Sequence, residues 1–518
     1  MLTRSQREAL AISRAARCDI GNYVGFYLWQ WTYWWRRGVT GPWSYPVIGN
    51  SWTLLDLENP TPLQLREWSK KYGKVYGIQE GVRNVLVLSD PAMVQEVFVK
   101  QFDNFHGRKT NPLLFNSQNA PRIHVFNAEG NRWKRLRTIS SPTFTNNNLK
   151  KIRQTVEDSA LELLQHIEKH SNEPINFLSY FQEFTMDVIG RIAMGQTETK
   201  MFHNPLLEPL KKFFTGNERW KMVLLASAVP SAAKYIRSAL LAFPAIAGNN
   251  FASLMKACET AVFDRIKLRE KDAEKGIEPG EPTDFIDLFL DARADVHFED
   301  NADFEKQSLK VLRQLTTDEI IAQCFVFLVA GFDTTALSLS YAAYLLATHP
   351  EAQKKLQKEI DDVLTTPSIS FEELGNLKYM DAVIKETLRL YPLAALANSR
   401  RCMNPTILGG IPIEKDTFIW LDTWSIHRDT SVWGENAKDF VPERWLDAEV
   451  KNNAWIPFGH GPRQCIGMRL ALMEEKLLLS HILRRYDLCV GAKTEIPLEL
   501  YGTATIQPRS VHLYVKSR

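Results

Sequence analysis

The sequence predicts a mainly α-helical protein with a small β region. Beyond residue 145 apolar residues recur at helical spacing and β signals become sparse, whereas short apolar runs before residue 100, such as Val85 to Leu88, read as strands. The longest helical pattern begins at Thr316-Thr317-Asp318-Glu319, a capping box, and continues to about Thr348, where His349-Pro350 stops it. At 1.5 Å per residue that is about 50 Å of helix. A helix so long and so apolar has to run through the interior.

In chain order, residues 1–40 form an amino-terminal segment distinct from the rest. Arg4, Arg7, Arg14 and Arg17 face only Glu8, and an aromatic run from Ile20 to Trp35 follows, closed by Arg36 and Arg37. Sixteen helical residues reach only about 24 Å, short of a hydrocarbon core of roughly 30 Å. The run therefore reads as an interfacial anchor, with Tyr23, Phe26, Tyr27, Trp29, Trp31, Tyr33, Trp34 and Trp35 at the headgroup boundary. Two other readings stay open: a mitochondrial presequence, and a terminus that is not the native one. Gly41-Pro42-Trp43-Ser44-Tyr45-Pro46 then makes a stiff, non-helical connector.

From residue 41 to 518 no linker, repeat or low-complexity tract divides the chain, so a single domain is expected. Hydrophobic residues at 45% and charged residues at 24% give it ample material for a core. A net charge of +3 is too small for a nucleic-acid partner. Six scattered cysteines show neither disulfide nor zinc spacing.

Four constellations carry chemistry. Trp133 and Arg137 lie four residues apart on one helical face, a spacing that can clamp an anion. Ala330-Gly331-Phe332-Asp333-Thr334-Thr335 interrupts the apolar interior of the long helix, and its glycine alone costs about 1 kcal/mol there. A helix that kinks and bonds its own polar groups at i−4 is the alternative account of these residues. Glu386 and Arg389 stand at i and i+3, with Arg444 downstream in Phe440-Val441-Pro442-Glu443-Arg444-Trp445. Finally, Phe458-Gly459-His460-Gly461-Pro462-Arg463-Gln464-Cys465-Ile466-Gly467 holds a cysteine where Gly461 and Gly467 allow close backbone approach and backbone N–H groups can point at a thiolate. His427-Arg428-Asp429 matches a kinase tripeptide by chance, since Gly434 replaces the expected asparagine.

The Phe458, Gly461, Arg463, Cys465 and Gly467 pattern resembles the cysteine-ligand signature of the cytochrome P-450 superfamily, and the likeness extends from Gly41 to the carboxyl terminus. Ser140 to Thr145 and Cys465 to Arg469 look most like its microsomal clan of drug- and steroid-oxidising enzymes. The resemblance implies the P-450 fold and haem b, with Cys465 as axial iron ligand. It implies that Trp133, Arg137, Arg463 and Arg400 reach haem propionates, and that Ala330-Gly331 makes room for dioxygen at a kink. Asp333 and Thr334 would organise a proton-carrying water relay, while Glu386, Arg389 and Arg444 lock the cysteine loop. No dinucleotide fingerprint is present, so NADPH electrons would arrive through a flavoprotein reductase, with cytochrome b5 as a possible second donor. Lys134, Arg135, Lys150 and Lys151 could face that acidic partner.

The expected activity is insertion of one oxygen atom from O2 into a small lipophilic substrate, at the endoplasmic reticulum membrane facing the cytosol. The mitochondrial inner membrane is the alternative location. Phe102, Phe105, Phe115, Phe126, Phe213, Phe214, Phe325, Phe332, Leu393 and Leu396 are the pocket candidates, and Met222 to Val229 and Ala239 to Ile246 are candidates for dipping into a membrane. A haem-thiolate isomerase acting on a peroxide without a reductase, and a non-catalytic haem sensor, are the competing functions.

Overall fold

A single helix of 32 residues, Thr317–Thr348, is the axis of the main core. The structure is a computed structural model that describes residues 22, 24–56, 58–114, 117–215, 220–242, 249–278, 280–282, 284–293, 314–394, 397–446, 453–502 and 505–518. The expected capping box forms: the Thr316 hydroxyl accepts from the Glu319 N–H at 3.2 Å, and the Glu319 carboxylate accepts from the Thr316 N–H at 3.2 Å. Among the described residues this is the one helix long and apolar enough to cross a membrane, but 72% of its apolar window is buried inside the protein, as befits a core helix.

The β hairpin of β1 (Val75–Glu80) and β2 (Arg83–Leu88) turns at Gly81, whose φ of +61° suits glycine. Helices α1 (Gly130–Ser140), α2 (Asn146–Lys169) and α3 (Phe177–Met194) follow. Next come α4 (Leu207–Thr215), α5 (Trp220–Ala228), α6 (Pro230–Ala242) and α7 (Asn249–Glu274). The central helix is α8, and α9 (Pro350–Val363) and α10 (Lys378–Leu390) succeed it. Strands β3 (Ser399–Arg401) and β4 (Phe418–Leu421) complete a four-stranded sheet in the order β1-β2-β4-β3, with β4 parallel to β2 and Val87 beside Trp420. Helix α11 (Met468–Arg485), β5 (Tyr486–Cys489) and β6 (His512–Ser517) end the chain, β6 pairing with both β5 and Ile175–Asn176. The small β region is thus assembled from both halves of the sequence. Strands β3, β4 and β5 run only three or four residues, too short to register clearly as alternation.

Helix α3 packs along α8 closely because Gly331 has no side chain: a Cβ there would lie 2.8 Å from Ile189 Cδ1. The Thr185 hydroxyl reaches across this contact to the Phe332 carbonyl at 2.7 Å.

The amino-terminal aromatic run corrects one expectation. Tyr33 and Trp34 are core residues, 1% and 6% exposed, and not members of a headgroup belt. The Trp34 ring lies over Gly77 of β1, where a Cβ would fall 2.3 Å from its Cγ, and its Nε1 donates to the Ile78 carbonyl at 2.8 Å. Trp31 and Tyr27 donate to the Ser44 and Ala228 carbonyls. Phe26, Trp29 and Trp35 remain exposed, joined on the surface by Trp43 and Trp52. The presequence reading and Tyr23 lie outside the described residues, as do Phe115 and Leu396.

Candidate active site

The cysteine loop is shaped by main-chain geometry. The Cys465 N–H donates to the Phe458 carbonyl at 2.8 Å, closing the loop on itself. Phe458 is held by Trp455, with ring centroids 6.0 Å apart. Gly461 has φ +69°, and a Cβ there would sit 2.0 Å from the Phe98 carbonyl oxygen, so no other residue fits. Gly467 differs from expectation, since a Cβ at that position would make only an ordinary 3.6 Å contact with Phe144. Its contribution is its N–H, which, with that of Met468 at the start of α11, points at the Cys465 sulfur.

Burial pushes the Cys465 thiol up, and the N–H groups of Gly467 and Met468, Arg137 and Arg108 oppose that shift. The side chain is nevertheless exposed. A thiol that is desolvated yet open belongs on the wall of an internal cavity. Helix α8 shows the same pattern. Within the interior of the helix Ala330 is exposed and Val326, Val329, Gly331 and Thr334 are half-buried while the rest is buried; Val326, Ala330 and Thr334 at i, i+4 and i+8 form one stripe that faces open space. Phe144 connects the two walls, touching the Gly467 position and lying 5.4 Å from the Phe327 ring of α8.

Thr334 donates to the Ala330 carbonyl at 2.8 Å, a bond along the helix, which runs unbroken through this region. Asp333 lies on the side packed against α3. Its two oxygens accept from Gln182 at 3.1 Å and Thr505 at 2.8 Å, and burial pushes its pKa up to about 6. Ala330 and Thr334 therefore share the cavity stripe, whereas Gly331 and Asp333 serve the helix contact.

The arginines converge as well. Arg463 stacks over Trp133 at 4.7 Å and donates to the Phe126 carbonyl at 3.4 Å and to the Ala128 carbonyl. Arg400 stacks over Phe98 at 3.8 Å and donates to the Ser399 and His460 carbonyls at 2.8 and 3.2 Å. Arg108, missed in the sequence, belongs to the same cluster: it stacks over Phe126 at 4.2 Å and donates to the Ala397 and Arg463 carbonyls at 2.7 and 3.0 Å. Burial, with mutual repulsion behind it, holds Arg400 and Arg463 well below the usual guanidinium range and brings Arg108 down to about 10. The Nε atoms of Arg108, Arg400 and Arg463 are buried without a partner, and Arg137 also sits low because of its burial. Four arginines exceed what the nearby Glu129 can balance, and a bound anion with several acceptor oxygens would complete them. A porphyrin bearing two carboxylates, held by a thiolate at its metal, fits both the arginines and the open wall at Cys465.

Behind this loop Glu386 and Arg389 are fully buried. Glu386 accepts from Arg389 Nε and Arg389 NH2 at 2.8 Å each, from Arg444 Nε at 2.9 Å, from the Val441 N–H at 3.0 Å and from Trp445 Nε1 at 2.9 Å. Arg389 in turn donates to the His427, Ala437 and Asp439 carbonyls. The network pins residues 427–445, the approach to the cysteine loop, onto α10.

One member of the expected basic surface is misplaced. Arg135 is 3% exposed and bonds Glu319 at 2.9 Å. Lys151 pairs with Glu281 at 2.6 Å and Lys150 with Glu372. Of the aromatic pocket candidates, Phe102 and Phe105 are core residues, whereas Phe126 is half-buried and Phe213 is exposed beside Phe325.

Among the described residues no group of three or more His, Cys, Asp or Glu side chains could hold a metal ion. The cytochrome P450 family profile matches residues 39–513. Two Caenorhabditis elegans proteins carrying the name cytochrome P450, CYP13A10 and CYP13A1, are each 55% identical, over 505 and 503 residues; they cover 96% and 95% of this chain and 97% and 96% of their own lengths. A third, CYP13A8 of the same organism, is 47% identical over 499 residues, 96% of this chain and 98% of its own. The chain belongs to the cytochrome P450 family and is a monooxygenase of that class, with haem iron as its cofactor.

Proposed function

We propose that the protein draws electrons from NADPH through a separate flavoprotein reductase, with cytochrome b5 as an accessory donor, and inserts one atom of O2 into a lipophilic substrate. The observation that carries this reading is a desolvated but open Cys465 thiol beneath paired N–H groups, in a cavity whose other wall is the Val326, Ala330 and Thr334 stripe of α8. When bound, a thiolate-ligated haem supplies reductive activation of dioxygen. Cys465 would hold its iron, and Arg108, Arg137, Arg400 and Arg463 its carboxylates. Val326, Val329 and Ala330 keep the α8 side of the cavity apolar.

Thr334 holds a proton at its Oγ1 on the cavity wall and parks it against the Ala330 carbonyl at rest. Asp333 is one residue away but committed to Gln182 and Thr505, so it can exchange a proton with the cavity only when one of those bonds opens. Replacing Thr334 with Ala is expected to raise peroxide release relative to product by about tenfold, below the roughly hundredfold low end of a positioned proton donor's contribution because water takes over part of the delivery. Unchanged coupling would count against the relay.

A location on the endoplasmic reticulum membrane, catalytic domain toward the cytosol, is part of this proposal. Its support is the exposed set Phe26, Trp29, Trp35, Trp43 and Trp52, with Leu225 on α5 and Tyr235 on α6 exposed as well. Tyr27 bonds the last residue of α5, which places α5 next to the aromatic segment.

The decisive measurement is the carbon monoxide difference spectrum of the reduced protein, followed by reductase-dependent NADPH oxidation with a panel of steroids, fatty acids and xenobiotics. A red-shifted Soret band with substrate-stimulated, NADPH-dependent product is expected. Turnover of a peroxide without NADPH would favour the isomerase instead.

A further inference from the structure

The loop of residues 120–126 crosses the surface between α7 and the first turn of α8 and is anchored at its ends. Arg132 donates to the Ala120 and Pro121 carbonyls at 3.0 Å each, and Arg463 takes the Phe126 carbonyl at the other end. Its middle is held differently. Arg122 donates through Nε to Asp318 of α8 at 2.7 Å and through NH2 to Glu259 of α7 at 2.7 Å. These side chains are 36%, 45% and 36% exposed, so water and salt reach all three.

Beside that bridge an aromatic seam runs inward. Phe251 on α7 and Phe213 on α4 are exposed by 41% and 38%, yet each packs edge-on against Phe325 of α8, at 5.2 and 6.0 Å. Phe325 is 6% exposed and precedes Val326, the first residue of the stripe that faces the cavity. The His124 ring lies 6.3 Å from Phe325. Burial lowers His124 to about 4, so it is neutral and places no charge on the seam.

We propose that lipophilic ligands reach the cavity along this seam, between α4, α7 and the 120–126 loop, and that the Arg122 bridge to Asp318 and Glu259 is the latch that closes it. The inference rests on the reading of the cavity as the site of a lipophilic substrate. Exposed ion pairs are individually weak, which suits a closure that must open on every cycle. The seam gives a lipophilic molecule apolar contact throughout the passage, and the charged latch lies beside it, off the ligand's path.

A gate changes rates in both directions and leaves affinity alone, which sets it apart from a pocket residue. The probe is a phenyl-substituted imidazole, whose binding to the haem-loaded protein shifts the Soret band and is followed by stopped flow. Arg122→Ala is expected to raise association and dissociation rate constants together by about threefold, the effect of losing two exposed pairs, with Kd unchanged. Raising ionic strength should reproduce the acceleration in the native protein and do nothing further in the variant. Glu259→Gln, a milder change, should give a smaller acceleration of the same kind. Rates that ignore both substitutions and salt overturn the latch, and so does a change confined to Kd. A protein with no red-shifted carbon monoxide band would instead sink the haem-thiolate reading, so the two failures are told apart.

Discussion

Glu386→Gln is expected to destabilise the folded, haem-loaded protein by about 3–5 kcal/mol, nearly as much as Glu386→Ala. The reason is charge and not shape. Glu386 is the shared acid for Arg389 and Arg444 and accepts five hydrogen bonds in all, from those arginines, the Val441 N–H and the Trp445 indole. An amide in its place keeps the volume but leaves the fully buried Arg389 without a counter-charge, and turns one acceptor edge into a donor facing other donors. The damage should be directional, because the arginines hold the 427–445 segment through the His427, Ala437, Asp439 and Trp433 carbonyls. His427 also accepts the Ile456 N–H at 3.0 Å, immediately before the cysteine loop. Urea unfolding should show the lower midpoint, and the carbon monoxide spectrum should lose its red-shifted band before global unfolding. A variant that keeps its midpoint would mean that hydrogen-bond geometry alone holds this network.

What the sequence made legible was local chemistry. The capping box at Thr316 and Glu319 and the Glu386–Arg389 pair at i and i+3 are each set within a few residues, and each forms as its spacing implies. Features that depend on a distant partner were not legible. Arg135 reads as one more charge in a basic run until Glu319, 184 positions away, is brought against it. Arg108 is one of 63 basic residues, and only the fold sets it beside Arg463 and Arg400. Trp34 has the amphipathic character of a membrane-interface residue. Only its registry over Gly77 reveals it as core. The conserved geometry of a helix could have separated Thr334 from Asp333: at 100° per residue, Ala330 and Thr334 share a face and Asp333 falls beside it.

The second large effect is a gain. Glu474 and Glu475 stand side by side on α11, 4% and 1% exposed, and no lysine or arginine offsets their burial. Desolvation pushes Glu475 from 4.5 to about 8, partly opposed by the Ser338 hydroxyl of α8, and pushes Glu474 upward in the same direction, with Glu475 adding to it. The sign follows from proton counting. Between those two values the folded protein keeps a proton on Glu475 that the unfolded chain releases, so stability falls as pH rises through the window and levels off above about 8. One unit is worth 1.36 kcal/mol, so the full window corresponds to a cost of a few kcal/mol. Glu475→Gln removes the titration while keeping the volume. The variant should match the native protein near pH 5 and exceed it by about 3 kcal/mol at pH 8, read as a higher urea midpoint that grows with pH. A difference independent of pH would show that the carboxyl contributes through packing and not through its proton. A loss of stability at pH 8 would mean that Glu475 is ionised in the folded state and paired, the opposite of what its surroundings on α8 and α11 impose.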